Sequence, residues 1–152
     1  MAAYFFDSSA LAKRYVAEKG TPWVEALIDP TAAHEIYVAR ITSVELISAI
    51  TRRQRASSLT SAAAAAALTD LRADFLSDYS VLEITVDLIA QAGALAEKHA
   101  LRGYDAVQLA AALQAKSAYS TAGLALTLIS ADLELNSAAI AEGLVVYDPN
   151  TR

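Results

Sequence analysis

The sequence predicts an α/β fold of three layers, with helices covering both faces of a central, mainly parallel sheet. Two observations carry this expectation. Short apolar runs at 3–6, 36–39, 81–84, 125–129 and 144–147 alternate with longer helical segments, and they read as continuous apolar stretches rather than as apolar/polar alternation, the pattern of strands covered on both faces. The chain has 152 residues and 55% hydrophobic content, enough to bury a core as one domain over residues 1–152.

The elements follow in order. Residues 3–7 read as a buried strand, and Ser8-Ser9 caps a short helix reaching about Val16. Thr21 followed by Pro22 is a helix start, with Thr as N-cap and Pro in the first helical position; that helix runs to Ile28 and ends at Asp29-Pro30. Residues 35–39 form the second strand, and Thr42 or Ser43 caps a helix closing in Arg52-Arg53-Gln54-Arg55. Residues 60–78 are helical by composition, the six alanines 62–67 combining high propensity with little bulk. Residues 81–84 are the third strand, and Thr85 caps a helix over 86–99. Residues 101–104 are a tight link into a helix opened by Asp105, and residues 119–123 a loop. A fourth strand at 125–130, a helix over 132–142 stopped by Gly143, and a last strand at 145–147 complete the chain.

Composition narrows the function. The apolar runs fall far short of the roughly 18–20 residues of a membrane span, and the first residues lack the basic start of an export signal; the expectation is a soluble, cytoplasmic protein. Zero cysteines exclude disulfides, thiolate metal sites and cysteine nucleophiles. A net charge of −5 argues against binding nucleic acid by bulk electrostatics, which needs clustered Lys and Arg, but not against a nuclease whose acids are offset by a metal. Lys13, Arg14, Arg52, Arg53 and Arg55 are either solvated helix ends or, in a nuclease, contacts that hold a nucleic-acid backbone by charge. There is no G-x-S-x-G, no Walker A and no dinucleotide fingerprint. His34 and His99 have no evident partner and are expected at the surface.

Four acids stand out. Asp7 follows the first apolar run, Glu45 lies among Val44, Leu46 and Ile47, Asp105 opens an alanine-rich helix, and Asp132 follows the fourth strand. A buried carboxylate is costly unless it is paired or binds a metal, and none has a Lys or Arg within its own apolar segment. Singly, Asp7, Asp105 and Asp132 can be helix caps or first-turn acids, and Glu45 can pair with Arg52 in helical register. Together they point to one place, because ligands in parallel α/β sheets bind beyond the carboxyl ends of the strands, where Asp7 and Asp132 fall. Oxygen-only ligands suit Mg²⁺ or Mn²⁺ rather than zinc, and such a site implies metal-assisted phosphodiester hydrolysis.

Four blocks of the sequence carry a family resemblance: residues 6–15 from Phe6-Asp7-Ser8-Ser9, Thr42-Ser43-Val44-Glu45-Leu46, residues 101–112 around Gly103-Tyr104-Asp105-Ala106, and residues 130–139 from Ser130-Ala131-Asp132. In this order they resemble the PIN-domain ribonucleases, and most of all the VapC-type toxins of bacterial toxin–antitoxin pairs. The resemblance implies a three-layer α/β/α PIN-like domain and a Mg²⁺- or Mn²⁺-dependent endoribonuclease. Asp7, Asp105 and Asp132 would supply most metal contacts, and Glu45 would hold a water or a second ion. Ser8, Ser130 and Asn136 occupy positions that support the carboxylates by hydrogen bonding in such proteins, or are ordinary helix-start residues. A cognate antitoxin whose C-terminal segment blocks the site, and a homodimer, are implied in the same way. Leu133-Glu134 follows the last acid where many relatives place a basic residue, and the run 62–67 is bland for a region that helps bind partner or RNA in the family. Two other readings remain open at this point: a PIN-like module that binds RNA or a partner without cleaving, and a metal-dependent phosphatase on a related scaffold.

Overall fold

The computed structural model of the protein describes residues 2–152. Strands β1 (Ala3–Phe6), β2 (Glu35–Ala39), β3 (Ser80–Leu82), β4 (Leu126–Ile129) and β5 (Val145–Tyr147) form one sheet in the order β3-β2-β1-β4-β5. Every neighbouring pair is parallel, with Phe5 registered against Tyr37 on one side and Leu128 on the other. Helices α1 (Ser8–Tyr15), α2 (Thr21–Ile28), α3 (Ile41–Arg55) and α4 (Ser61–Ser77) precede β3, α5 (Val86–His99) and α6 (Gly103–Thr121) follow it, and α7 (Leu133–Ala141) joins β4 to β5. The result is the expected three-layer α/β/α arrangement.

Why the apolar runs become doubly covered strands is visible at β1. Successive side chains of a strand point to opposite faces, so Phe5 enters the core shared with α5, α6 and α7, while Phe6 enters the core shared with α1, α3 and α4. Both are fully buried, and each contributes on the order of 2 kcal/mol by burial. Pinned on both faces and bonded on both edges, β1 is a rigid platform for the residue that follows it, Asp7. On the other side of the sheet, the buried alanines Ala106, Ala110, Ala111, Ala112 and Ala115 bring α6 close to the strands.

Several boundaries differ from those expected, each for a local reason. Asp7, not Ser8 or Ser9, caps α1, accepting from the Ala10 amide. Helix α2 begins at Thr21 with Gly20 as its N-cap at φ +89°; Thr21 instead turns its hydroxyl back to the Lys13 carbonyl and accepts from the Glu18 amide. A Cβ at Gly20 would meet the Pro149 carbonyl oxygen at 2.4 Å, so both conformation and space require glycine there. Helix α3 starts at Ile41 without a side-chain cap, because Thr42 is buried and accepts from Gln108 Nε2 at 2.7 Å. Strand β3 covers Ser80–Leu82, starting one residue before the expected 81–84 and ending two before it, and Ile84 packs against the core outside the strand. Helix α6 absorbs most of the expected loop at 119–123, since buried Tyr119 packs edge-on against Tyr37 with ring centres 5.8 Å apart. Among the described residues, no helix is long and apolar enough to cross a membrane.

The connections from β1 proceed outward through β2 and β3 on one side, then return to β4 and β5 on the other. Strand order therefore reverses between β1 and β4. In open parallel sheets a crevice forms beyond the carboxyl ends at such a switch point and serves as the ligand site.

Candidate active site

Asp7 and Ser130 end the two strands that flank the switch point, and the Asp7 amide donates to the Ile129 carbonyl across it. Asp132 follows two residues on and caps α7, its Oδ1 accepting from the Leu135 amide at 3.0 Å. Asp105 lies in the first turn of α6, and Glu45 in the second turn of α3. The positive ends of the α1, α6 and α7 dipoles therefore converge on the crevice that holds the acids, partly offsetting their mutual repulsion. For Asp7 and Asp132, capping and site membership are not competing roles, since one carboxylate has two oxygens.

Asp7 is 2% exposed. Its Oδ1 accepts from the Ala10 amide at 3.0 Å and its Oδ2 from the Ser130 hydroxyl at 3.1 Å. Ser9 Oγ lies 2.7 and 2.8 Å from the two oxygens; one hydroxyl proton serves both. These bonds favour the charged form, yet burial outweighs them and pushes the carboxyl up to about 7, with Asp132 adding to the rise. Ser130 is the hub of this corner: its hydroxyl also accepts from the Asp132 amide at 3.2 Å, and its carbonyl accepts from Asn136 Nδ2 at 3.0 Å. Ser9 Oγ in turn accepts from the Ala131 amide at 2.9 Å, tying α1 to the β4–α7 turn.

Glu45 is held from two helices. Ser8 Oγ donates to its Oε2 at 3.0 Å and Gln108 Nε2 to its Oε1 at 2.7 Å. Its carboxyl is also raised, first by burial, with the two hydrogen bonds opposing and nearby Asp105 reinforcing. Asp105 is raised by burial, then by Asp132, with Arg102 opposing and Glu134 adding to the rise. The four acids thus feel one another in a chain from Asp7 through Asp132 and Asp105 to Glu45, with Glu134 at the rim. Among the described residues none of the four makes an ion pair with Lys or Arg, and Arg52, the possible partner of Glu45, is exposed.

This donor set fits a hard divalent cation: carboxylate oxygens only, partly desolvated, and without a protein cation. It is an open arrangement, since among the described residues no three His, Cys, Asp or Glu side chains are closed around a common point. Asp105 and Asp132 are half-buried, and the α7 cap engages only Oδ1 of Asp132.

The PIN domain family model matches residues 4–141. The chain belongs to the PIN-domain family. Two curated relatives, ribonucleases VapC45 and VapC49 of Mycobacterium tuberculosis strains, are each 36% identical over 113 residues, spanning 74% of this chain and 76% of the relative. Solved structures share the fold at lower identity. A toxin-antitoxin complex from Klebsiella pneumoniae matches with a TM-score of 0.63 at 18% identity, covering 96% of this chain and 97% of that one. Mycobacterium tuberculosis VapC20, described as a Sarcin-Ricin loop cleaving toxin, matches with a TM-score of 0.62 at 20% identity, covering 93% and 96%.

Within this PIN domain the basic residues divide. Arg14 turns away from the acids toward Asp74 of α4, 3.7 Å away, in a cluster where Tyr15 donates to Asp74 at 2.7 Å. Lys13 and Arg53 both reach Glu18, while Arg52 and Arg55 are exposed at the end of α3. His34 accepts from the Ala2 amide. His99 is not a free surface residue: it is mostly buried beside Glu142 at 2.8 Å, which Lys98 also engages.

Sequence reasoning did not assign Gln108 or Ser9 to the site, and read Ser9 only as part of a helix cap. Gln108 carried a weak signal: it stands three residues after Asp105, hence on the same helix face, as the polar residue of an otherwise apolar stripe.

Proposed function

We propose that this PIN domain, working as one unit over residues 1–152, is a Mg²⁺- or Mn²⁺-dependent endoribonuclease. It hydrolyses an RNA phosphodiester by water attack and leaves 5′-phosphate ends. The observation that carries the reading is the set of four unpaired carboxylates at the β1/β4 switch point, with Asp7 held near a pKa of about 7. Such an arrangement is expensive for a structural role and suited to a cation.

Asp7, Asp105 and Asp132 would hold the ion, directly or through water, and Glu45 would hold a second ion or the attacking water. When bound, a divalent ion neutralises phosphate charge and makes water a nucleophile near neutral pH. The chain's own residues do the rest. Ser9, Ser130 and the Ala10 amide orient Asp7, and Asn136 fixes the Ser130 backbone. Ser8 and Gln108 aim Glu45, whose raised carboxyl is suited to taking a proton from water. The relatives named above support a VapC-like ribonuclease toxin restrained by a cognate antitoxin; a cytoplasmic RNA substrate and a homodimer are part of the same proposal.

The open spacing of the acids favours a second reading, a PIN-like module that binds RNA or a partner without cleaving. Calorimetric titration with Mn²⁺ separates the two. Binding in the wild type that weakens at least tenfold in both Asp105→Asn and Asp132→Asn supports the enzyme; no binding near neutral pH supports the module.

A further inference from the structure

The carboxylate crevice opens sideways into a cavity of about 420 Å³ whose walls include Ser8, Ser9, Lys13, Glu18, Glu45 and Arg53. Three features of this cavity are unexplained by holding a metal. Lys13 is only 4% exposed, yet among the described residues its ammonium, with three donors, has one side-chain partner, Glu18 Oε1 at 3.3 Å. The same carboxylate is shared, since Glu18 Oε2 accepts from Arg53 Nη2, also at 3.3 Å. Arg53 Nη1 is buried and donates to nothing, which is unfavourable for a charged donor. Two cations from α1 and α3 thus share one anion, leaving an uncompensated positive charge and an orphan donor beside a strongly acidic site.

We propose that Lys13 and Arg53 form a subsite for an RNA backbone phosphate next to the one that is cut, and that Glu18 occupies it as a stand-in anion until RNA displaces it. This deepens the ribonuclease reading and rests on it. A phosphodiester presents two non-bridging oxygens that share one negative charge and match a guanidinium fork, so it satisfies both Arg53 nitrogens and Lys13 together, which the Glu18 carboxylate at 3.3 Å from each does not. Glu18 lies in the α1–α2 loop, and its side chain is about one third exposed. Its amide is fixed to Thr21 Oγ1, so the side chain can swing into water while the backbone stays. A second cavity, lined by Ala49, Arg52, Arg53 and Ser58, shares Ala49 and Arg53 with the first. Two cavities in series along the basic end of α3 suit a polymer rather than a single phosphate.

The test is fluorescence anisotropy of a labelled, short single-stranded RNA in EDTA, where metal-dependent cleavage is off, alongside cleavage kinetics in Mn²⁺. Glu18→Gln, which removes the stand-in charge at constant size, should tighten RNA binding roughly fivefold and lower KM, with kcat within about twofold. Arg53→Gln should weaken binding roughly tenfold and reduce the slope of log affinity against log salt by about 0.7. Arg53→Lys should recover part of the loss. Arg72→Gln, an equal charge loss at an exposed position of α4, sets the background. The proposal falls if Glu18→Gln leaves affinity and KM unchanged, or if Arg53→Gln is no worse than Arg72→Gln. It also falls if a glutamate-rich peptide occupies the subsite in preference to RNA. If no RNA is cleaved in Mn²⁺ while the anisotropy pattern holds, the enzymatic reading fails and the phosphate subsite stands.

Discussion

Replacing Asp7 by Asn removes a carboxyl that the native fold holds at about 7 against an ordinary 3.8. The native state therefore keeps a proton that the unfolded chain has already released over this interval. Where the native state binds more protons, stability falls as pH rises. The Asp7 contribution is fully favourable below 3.8 and is lost progressively up to about 7. The interval corresponds to a penalty of about 4 kcal/mol at pH 8 in the metal-free protein. Asn carries no such penalty, but the Ser9 and Ser130 hydroxyls must rearrange to accept from its amide, which costs about 1 kcal/mol per weakened bond. The expected net is that metal-free Asp7→Asn is about 2 kcal/mol less stable than the wild type at pH 4, where no ionisation penalty offsets the weakened bonds, and about 2 kcal/mol more stable at pH 8. For a chain of this size that is a rise in Tm of roughly 4–8 °C. Thermal melts followed by circular dichroism in EDTA between pH 4 and 8 read the difference directly, with the acids that do not couple to Asp7 cancelling between the two proteins. Added Mg²⁺ should then raise the wild-type Tm and leave that of the variant unchanged. Parallel pH profiles, or a variant that loses ground as pH rises, would refute the reasoning, since Asp7 would then be comfortably ionised without a cation.

Two further substitutions probe the support of the site and the fold beneath it. Gln108→Leu removes the donor shared by Thr42 and Glu45; cleavage should fall roughly tenfold, with the acid limb of the pH–rate profile moving to higher pH because Glu45 loses a bond that lowers its pKa. An unchanged acid limb would place Gln108 outside the reaction. Gly20→Ala meets both a positive φ and the Pro149 carbonyl, and urea unfolding should show a loss of about 2 kcal/mol or more. A neutral result would mean that the α2 start tolerates a different backbone.

Much of the fold was legible because its signals are local. Continuous apolar runs mark strands buried on both faces, and an acid immediately after such a run lands at the carboxyl edge whatever the strand order, which is why Asp7 and Asp132 stood out. What was not legible depends on contacts between distant segments. Gln108 meets Glu45 across 63 positions, and Ser9 meets Ala131 across 122, and no local pattern encodes either pairing. Thr42 carries the chemistry of a cap, but a buried partner on α6 overrides it. The stretch Tyr119-Ser120-Thr121-Ala122-Gly123 reads as a loop by composition, and its first three residues are helical because Tyr119 packs on Tyr37. The position of Glu45 stayed open for the same reason: its choice between Arg52 and the crevice was decided by Ser8 and Gln108, which lie on other helices.

The claim that the four carboxylates form a metal-dependent ribonuclease site is tested most directly by incubating single-stranded RNA with the purified chain and its Asp7→Asn variant, with Mn²⁺ or with EDTA, and mapping the ends formed. The account predicts cleavage by the wild type in Mn²⁺ alone, products bearing 5′-phosphate and 3′-hydroxyl ends, and a loss of at least a hundredfold in the folded variant. Cleavage that persists in EDTA, or full activity in Asp7→Asn, would contradict it.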